Sequence, residues 1–200
     1  MPSATHGLPG DRARPRRMAA LLDQAYQPWL ARLSDAERAA IHAWQSLDRR
    51  YRSIQAVVRD GAGDDAALAE ASALANAVLA GELPQDVEAW RGIRSCQNVF
   101  GVGINSLPTL RGEVLTLDGF FAVTLDPRVA VAEFTRPPLP GGPVLFRIRL
   151  PAGVHAAWIS LAGDSALRYQ RELLLIGPIA LRIGAASYAG EVPILEVEVV

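Results

Sequence analysis

Residues 165–177 read SALRYQRELLLIG. Leu173–Ile176 form an apolar run of strand length, with Glu172 at its mouth and Gln170 two residues earlier. On an extended chain, positions i and i+2 point to one face, so the amide and the carboxylate are expected to look the same way. A buried strand would hold Glu172 rigidly, and a carboxylate there is costly unless something pairs with it or uses it. From these residues alone two readings stay open: a pair serving chemistry, and a sheet edge where both side chains face water.

Working outward, the chain after Pro84 has the texture of short strands. VEAWRGI (87–93), GFFAVTL (119–125), PVLFRIRL (143–150), AAWISL (156–161), IALRIGAA (179–186) and ILEVEVV (194–200) join ELLLIG (172–177). Phe146, Ile148 and Leu150 alternate with Arg147 and Arg149, and Leu195, Val197 and Val199 with Glu196 and Glu198. That period of two belongs to half-buried strands. Loops rich in Pro and Gly separate them, notably TRPPLPGGP (135–143). FGVGINS (100–106) holds Gly-x-Gly without the strand–turn–helix setting of a dinucleotide fingerprint and reads as a flexible loop.

Before Pro84 the signals are helical. Ser34 and Glu37 have capping-box spacing, and Ile41, Trp44 and Leu47 follow at helical intervals. A second helix is expected over 47–60, stopping at Gly61, and a third over 64–79, ended by Gly81. These stripes read as core-facing surfaces. Residues 1–17, polar and rich in Pro, Gly and Arg, read as a disordered arm. Its Arg12, Arg14, Arg16 and Arg17 suit either a solvated tail or an anionic partner. Helices first and strands later indicate an α+β domain over 18–200, with a helical subregion at 18–83 and a β-rich core at 84–200.

The 200 residues are 50% hydrophobic, enough for a substantial core. A formal net charge of −1 gives no support to bulk electrostatic binding of nucleic acid or acidic membrane. All 20 basic residues are arginine, which fits codon bias and also fits a protein that avoids lysine modification in a foreign cytosol. With one cysteine, Cys96, no internal disulfide is possible, and His6, His42 and His155 lack ligand spacing, so no metal is expected. The N-terminus lacks the apolar core of a secretory signal, and no run reaches membrane-helix length.

Arg91, in AWRGIRS, is the second focus. An arginine rising from a central strand can grip a pyrophosphate with a bidentate fork; it can equally pair with a carboxylate such as Glu88.

Taken in order, these segments resemble the ADP-ribosyltransferase exoenzymes, the arginine–serine–glutamate branch of bacterial toxins. The resemblance covers about residues 33–200. IQAVVRDG (54–61) is similar to the family's IN..LR.G helix end, with Gln55 for Asn and Arg59 for Arg. LPQDVEAWRGI (83–93) resembles the strand carrying YRG, with Trp90 for Tyr, then Arg91 and Gly92. GFFAVTLDPRVAVAEF (119–134) stands where GF.STS.D...A..F is expected, FRIRLPAGVHAAWI (146–159) resembles L.I.VP.G..A.., and YQRELLL (169–175) matches the Q-x-E turn.

The resemblance implies two packed, mostly antiparallel β-sheets forming a cleft for NAD, preceded by helices. It implies a mono-ADP-ribosyltransferase toxin or effector that needs NAD as co-substrate and no metal. Glu172 would stabilise an oxocarbenium-like ribose and Gln170 would orient the acceptor, with Tyr169 in the acceptor-facing loop. Arg91 would hold the NAD phosphates, supported by Arg59 and, from the proline-rich loop, Arg136; Gly92, Thr124 and Phe134 would complete the NAD side. The neutral amide at 170 implies a non-arginine acceptor, an Asn or Gln side chain or a guanine base. The implied protein is a monomer that does not insert into membranes and reaches a target cytosol by a specialised route.

One departure matters. Ala122-Val123-Thr124 replaces the family's Ser-Thr-Ser, so a hydroxyl that braces the catalytic Glu is missing. Loss of one hydrogen bond to a charged group costs about 1.5–3 kcal/mol, or about one to two decades in rate. Two alternatives therefore stay open: an NAD glycohydrolase, and a non-catalytic interaction or virion-associated module keeping the fold.

Overall fold

The computed structural model describes residues 13–188, 190 and 192–200. Five helices come first: α1 (Arg14–Ala25), α2 (Gln27–Arg32), α3 (Asp35–Trp44), α4 (Tyr51–Asp60) and α5 (Asp65–Leu79). Each starts and stops for local reasons. Pro15 opens α1, where a missing N–H costs nothing. The Ser34–Glu37 capping box opens α3, the Asp64 carboxylate accepts from the Ala67 N–H at 2.7 Å to open α5, and left-handed Gly61 closes α4.

The arm expected over 1–17 does not extend to Arg14, Arg16 and Arg17, which are helical; Arg14 pairs with Glu88 at 3.2 Å. Residues 1–12, Arg12 included, lie outside the described residues. The helix expected from Leu47 begins only at Tyr51, because Arg49 takes a left-handed φ of 66° that no helix continues through. Leu47 lies 95% exposed rather than on the apolar stripe of α3, because that helix ends at Trp44.

The strands are β1 (Val87–Ile93), β2 (Val114–Leu117), β3 (Phe120–Thr124), β4 (Val144–Leu150), β5 (Ala157–Trp158), β6 (Glu172–Ile176), β7 (Ile179–Ser187) and β8 (Ile194–Val199). Three helices lie among them: α6 (Cys96–Phe100), α7 (Pro127–Phe134) and α8 (Ile159–Ala162). AAWISL is thus a two-residue strand running into a helix, β2 was not anticipated, and the supposed loop at FGVGINS contains the end of α6 and the start of a 3₁₀ turn (Ile104–Leu110).

The strand order is β2-β7-β8-β4-β1-β3-β6-β5, antiparallel except for the parallel β4–β8 pair. The expected two sheets are joined at one point: β1 meets β3 through a single register pair, Trp90↔Thr124. That junction divides the sheet into the halves β2-β7-β8-β4-β1 and β3-β6-β5.

The main core lies between the sheet and helices α1–α5. Leu22, Trp29, Ile41, Ile54 and Leu74 meet Ala89, Phe146, Ile148 and Leu173. Two polar ends are tied down within it: the Trp29 indole donates to the Ala77 carbonyl and the Tyr26 hydroxyl to the Ala156 carbonyl, each at 2.9 Å. On the opposite face α7 covers Trp90 and Leu145 with Ala130 and Val131. The charged sides of β4 and β8 form the anticipated polar face, with Arg147 bridging Glu88 at 2.7 Å and Glu196 at 3.1 Å.

Gly92 permits α7 to lie this close to β1. A Cβ there would stand 2.6 Å from the Ala130 carbonyl oxygen and 2.7 Å from Phe134 Cβ, and backbone cannot yield to it. Gly92→Ala is expected to destabilise the domain by about 1–3 kcal/mol, visible as a Tm several degrees lower in calorimetry.

Candidate active site

The strand β1 sets the first group by parity. Val87, Ala89, Arg91 and Ile93 share one face, so an arginine interrupts an apolar stripe. Its Nη1 donates to the Ala122 carbonyl at 2.7 Å and its guanidinium lies over the Phe121 ring, 4.4 Å from the centroid. Its Nε is buried and has no partner. Burial, followed by the nearby positive charge of Arg59, pulls the Arg91 pKa down to about 10, against the favourable pull of Glu172. Glu88, the alternative partner from the sequence, pairs with Arg147 and Arg14 instead.

Arg59 reaches the same region from the last turn of α4, its Nε donating to the Asp118 carbonyl at 3.2 Å. One turn earlier, Gln55 docks the helix onto β3. Its amide donates to the Phe120 carbonyl at 3.0 Å and accepts from the Phe120 N–H at 2.9 Å, as a neighbouring strand would.

Glu172 opens β6 opposite Thr124, half-buried. Its N–H donates to Ser160 Oγ at 2.7 Å. Its carboxylate receives two hydrogen bonds from the end of α3: Trp44 Nε1 to Oε1 at 3.1 Å and Gln45 Nε2 to Oε2 at 3.2 Å. Gln45 is itself fixed, since its Oε1 accepts from the Asp164 N–H at 2.9 Å. Gly163 leaves it room: a Cβ there would fall 2.0 Å from that oxygen. Burial raises the Glu172 carboxyl above the ordinary glutamate value, and the two donors and Arg91 only partly offset it.

The expected same-face pairing of Gln170 and Glu172 does not hold. Gln170 ends a 3₁₀ turn (Ser165–Gln170), and Arg171 takes a left-handed φ of 47° before the strand begins. Arg171 is held there by Asp126 at 2.7 Å, and the Thr124 hydroxyl donates to the Gln170 carbonyl. The Gln170 side chain turns to Glu133, at the end of α7, with Nε2 2.8 Å from Oε2. Tyr169, 52% exposed, stands beside the same carboxylate.

Thr124 is buried and acts on this turn, also accepting from the Asp126 N–H at 3.0 Å. Gly92 lies under α7 and Phe134 is 40% exposed at that helix's end. Arg136 is exposed in the loop that follows. The structure therefore brings together Glu172, Arg91 and Arg59, puts Tyr169 and Gln170 on a separate turn pinned to α7, and gives Thr124 and Gly92 structural tasks. Trp44, Gln45, Ser160 and Glu133 were not foreseen as part of the site. The only advance sign was that Trp44, read as core, carries an indole N–H that needs a partner when buried. No group of three or more His, Cys, Asp or Glu that could hold a metal occurs among the described residues.

The arrangement offers a braced carboxylate and two arginines near the junction of the two half-sheets. The same architecture is found in Plx2a, an ADP-ribosyltransferase toxin from Paenibacillus larvae, with a TM-score of 0.70 and 18% identity over 92% of this chain and 96% of that one. This is the ADP-ribosyltransferase fold. C3stau2 from S. aureus, solved with NAD, shares the fold at a TM-score of 0.70 and 15% identity, covering 92% of this chain and 95% of its own. BECa, an ADP-ribosylating toxin of a C. perfringens binary enterotoxin, solved with NADH, gives 0.69 and 19% over 92% of this chain. The chain spans 48% of BECa, so it covers about half of that longer protein. No protein-family profile matches the sequence, and no curated protein matches it either.

Proposed function

We propose that this chain is an NAD-dependent mono-ADP-ribosyltransferase that cleaves the bond between nicotinamide and ribose and transfers ADP-ribose to a non-arginine nitrogen. The observation that carries this reading is Arg91. A guanidinium in an apolar stripe, with a buried, unpartnered Nε, is an unfavourable arrangement until an anion arrives. A dinucleotide pyrophosphate supplies that anion, and a planar fork suits it better than an ammonium would.

Arg91 and Arg59 would hold the phosphates. Glu172, fixed by Trp44, Gln45 and Ser160, would stand as a preorganised negative charge where the ribose becomes electron-poor. The missing family serine at Ala122 does not leave this carboxylate unbraced, because α3 provides two donors in its place. At Ala122 the backbone carbonyl serves instead as the rest for Arg91. Leaving nicotinamide takes the bonding pair with it, so no metal is required by the electron count.

The test is incubation with NAD labelled in its adenylate part, alone and with cell lysate, measuring free nicotinamide and labelled macromolecule together. Release with labelling supports transfer, release without labelling makes the protein a hydrolase, and no release overturns the enzymatic reading.

A pH prediction follows from the bracing. Glu172 must be ionised to act, so activity falls as pH drops through its pKa. Trp44→Phe removes a donor that stabilises the charged form, which pushes that pKa further up. The acid limb of the kcat profile is expected to move to higher pH by about one unit, the equivalent of one charge-assisted hydrogen bond. An unmoved limb with lowered activity would show that Trp44 serves packing alone, through its contact with Phe120 at 5.4 Å.

A further inference from the structure

Glu133 has no part in the bond cleavage proposed above, yet it meets both residues of the turn that the resemblance assigns to the acceptor. Its Oε2 lies 2.8 Å from Gln170 Nε2, and its carboxylate beside Tyr169 pushes that phenol's pKa up. An ionised carboxylate can only accept hydrogen bonds. The end of the Gln170 amide facing it is therefore the NH2, and the carbonyl oxygen Oε1 is directed away. Polarising the N–H also enriches that oxygen, because hydrogen bonds in series strengthen one another.

We propose that Glu133 selects the acceptor, by fixing the Gln170 amide with its carbonyl oxygen presented to a neutral, N–H-bearing nucleophile, a carboxamide or a nucleobase amine. This rests on the transfer reading above. Such nitrogens are weak nucleophiles, and a strong acceptor on their N–H increases electron density at nitrogen. In the step, the C1′–nicotinamide bond breaks with its pair leaving on nicotinamide, the acceptor nitrogen's pair forms the C1′–N bond, and the nitrogen's proton passes to water. A guanidinium gains little here: it is served best by a two-pronged carboxylate, and Gln170 offers it a single neutral oxygen. Glu133 acts through Gln170 and is a positioning residue.

The experiment supplies NAD with acetylated asparagine amide, guanosine and agmatine as probes, and counts labelled probe per nicotinamide released. The wild type is expected to favour one neutral probe over agmatine by about tenfold or more. Glu133→Ala should lower the labelled fraction about fivefold or more and raise KM for the probe rather than KM for NAD, with Glu133→Asp recovering part of the loss. Gln170→Glu alone would set two carboxylates about 2.8 Å apart and should lower Tm. The double exchange Glu133→Gln with Gln170→Glu restores the hydrogen bond with its ends reversed, and should recover Tm while shifting preference towards agmatine. An unchanged labelled fraction in Glu133→Ala, a wild type that prefers agmatine, or one that labels no probe while releasing nicotinamide, overturns the inference but leaves NAD cleavage standing. A wild type that releases no nicotinamide removes the transfer reading and takes this inference with it.

Discussion

Glu172→Gln is expected to lower nicotinamide release by about 10²–10³-fold, the usual consequence of deleting one preorganised electrostatic group from a reaction centre. The substitution removes the charge and little else. Gln fills the same space, and one of its two polar ends can still meet Trp44 or Gln45, both of which now donate to the carboxylate. KM for NAD should change little, because an interaction that strengthens only as positive charge develops on the sugar belongs to the transition state. Stability separates this from misfolding. Burial raises the Glu172 pKa, so the folded protein works against the ionised form at neutral pH, and Gln relieves that. The loss of one good acceptor, about 1 kcal/mol, opposes the gain. The variant should therefore melt within about 4 °C of wild type at pH 7. Release within tenfold of wild type would mean that Glu172 is a structural carboxylate at a strand mouth, and the non-catalytic reading would take over.

The fold was legible wherever local rules decide it. Ser34 and Glu37 fix the start of α3, Gly61 the end of α4, and the alternation in β4 and β8 the side of the sheet that meets the core. Misreadings occurred where a single backbone conformation overrides a pattern. Left-handed Arg49 delays α4 to Tyr51 although the pattern looked helical from Leu47, and left-handed Arg171 turns Gln170 away from the face of Glu172. Neither residue is glycine, so nothing in the sequence marks the turn; Asp126, 45 residues from Arg171, fixes the second one. The site divides in the same way. Glu172 and Arg91 could be found because each is a charge in an apolar run. Trp44, Gln45 and Glu133 act through contacts 128, 127 and 37 residues away, which no spacing rule relates to Glu172 or Gln170.

Arg91→Met is expected to weaken NAD binding by about 30-fold or more while leaving the free protein about as stable as before. The two halves have different physical origins. Truncating a buried charge that pairs with a ligand anion costs about 2–5 kcal/mol of binding, which sets the lower bound on the effect. In the free protein the same charge is a burden, since its pKa is pulled down to about 10 and its Nε has no partner. Replacing a buried cation by an apolar chain of similar length often costs nothing or even stabilises. Against that, the Ala122 carbonyl loses its donor and Phe121 loses the stacked guanidinium, contributions of about 1–3 and 0.5–1 kcal/mol respectively. A Tm within about 4 °C of wild type is the expected balance. Arg91→Lys distinguishes charge from shape. It keeps the cation without the planar fork, and should fall between wild type and Met if the ligand is a pyrophosphate gripped at two oxygens. Titration calorimetry with NAD at fixed ionic strength reads all three proteins. A large loss of Tm in Arg91→Met with unchanged affinity would make this arginine a brace between β1 and β3, and would remove the observation on which the NAD site depends.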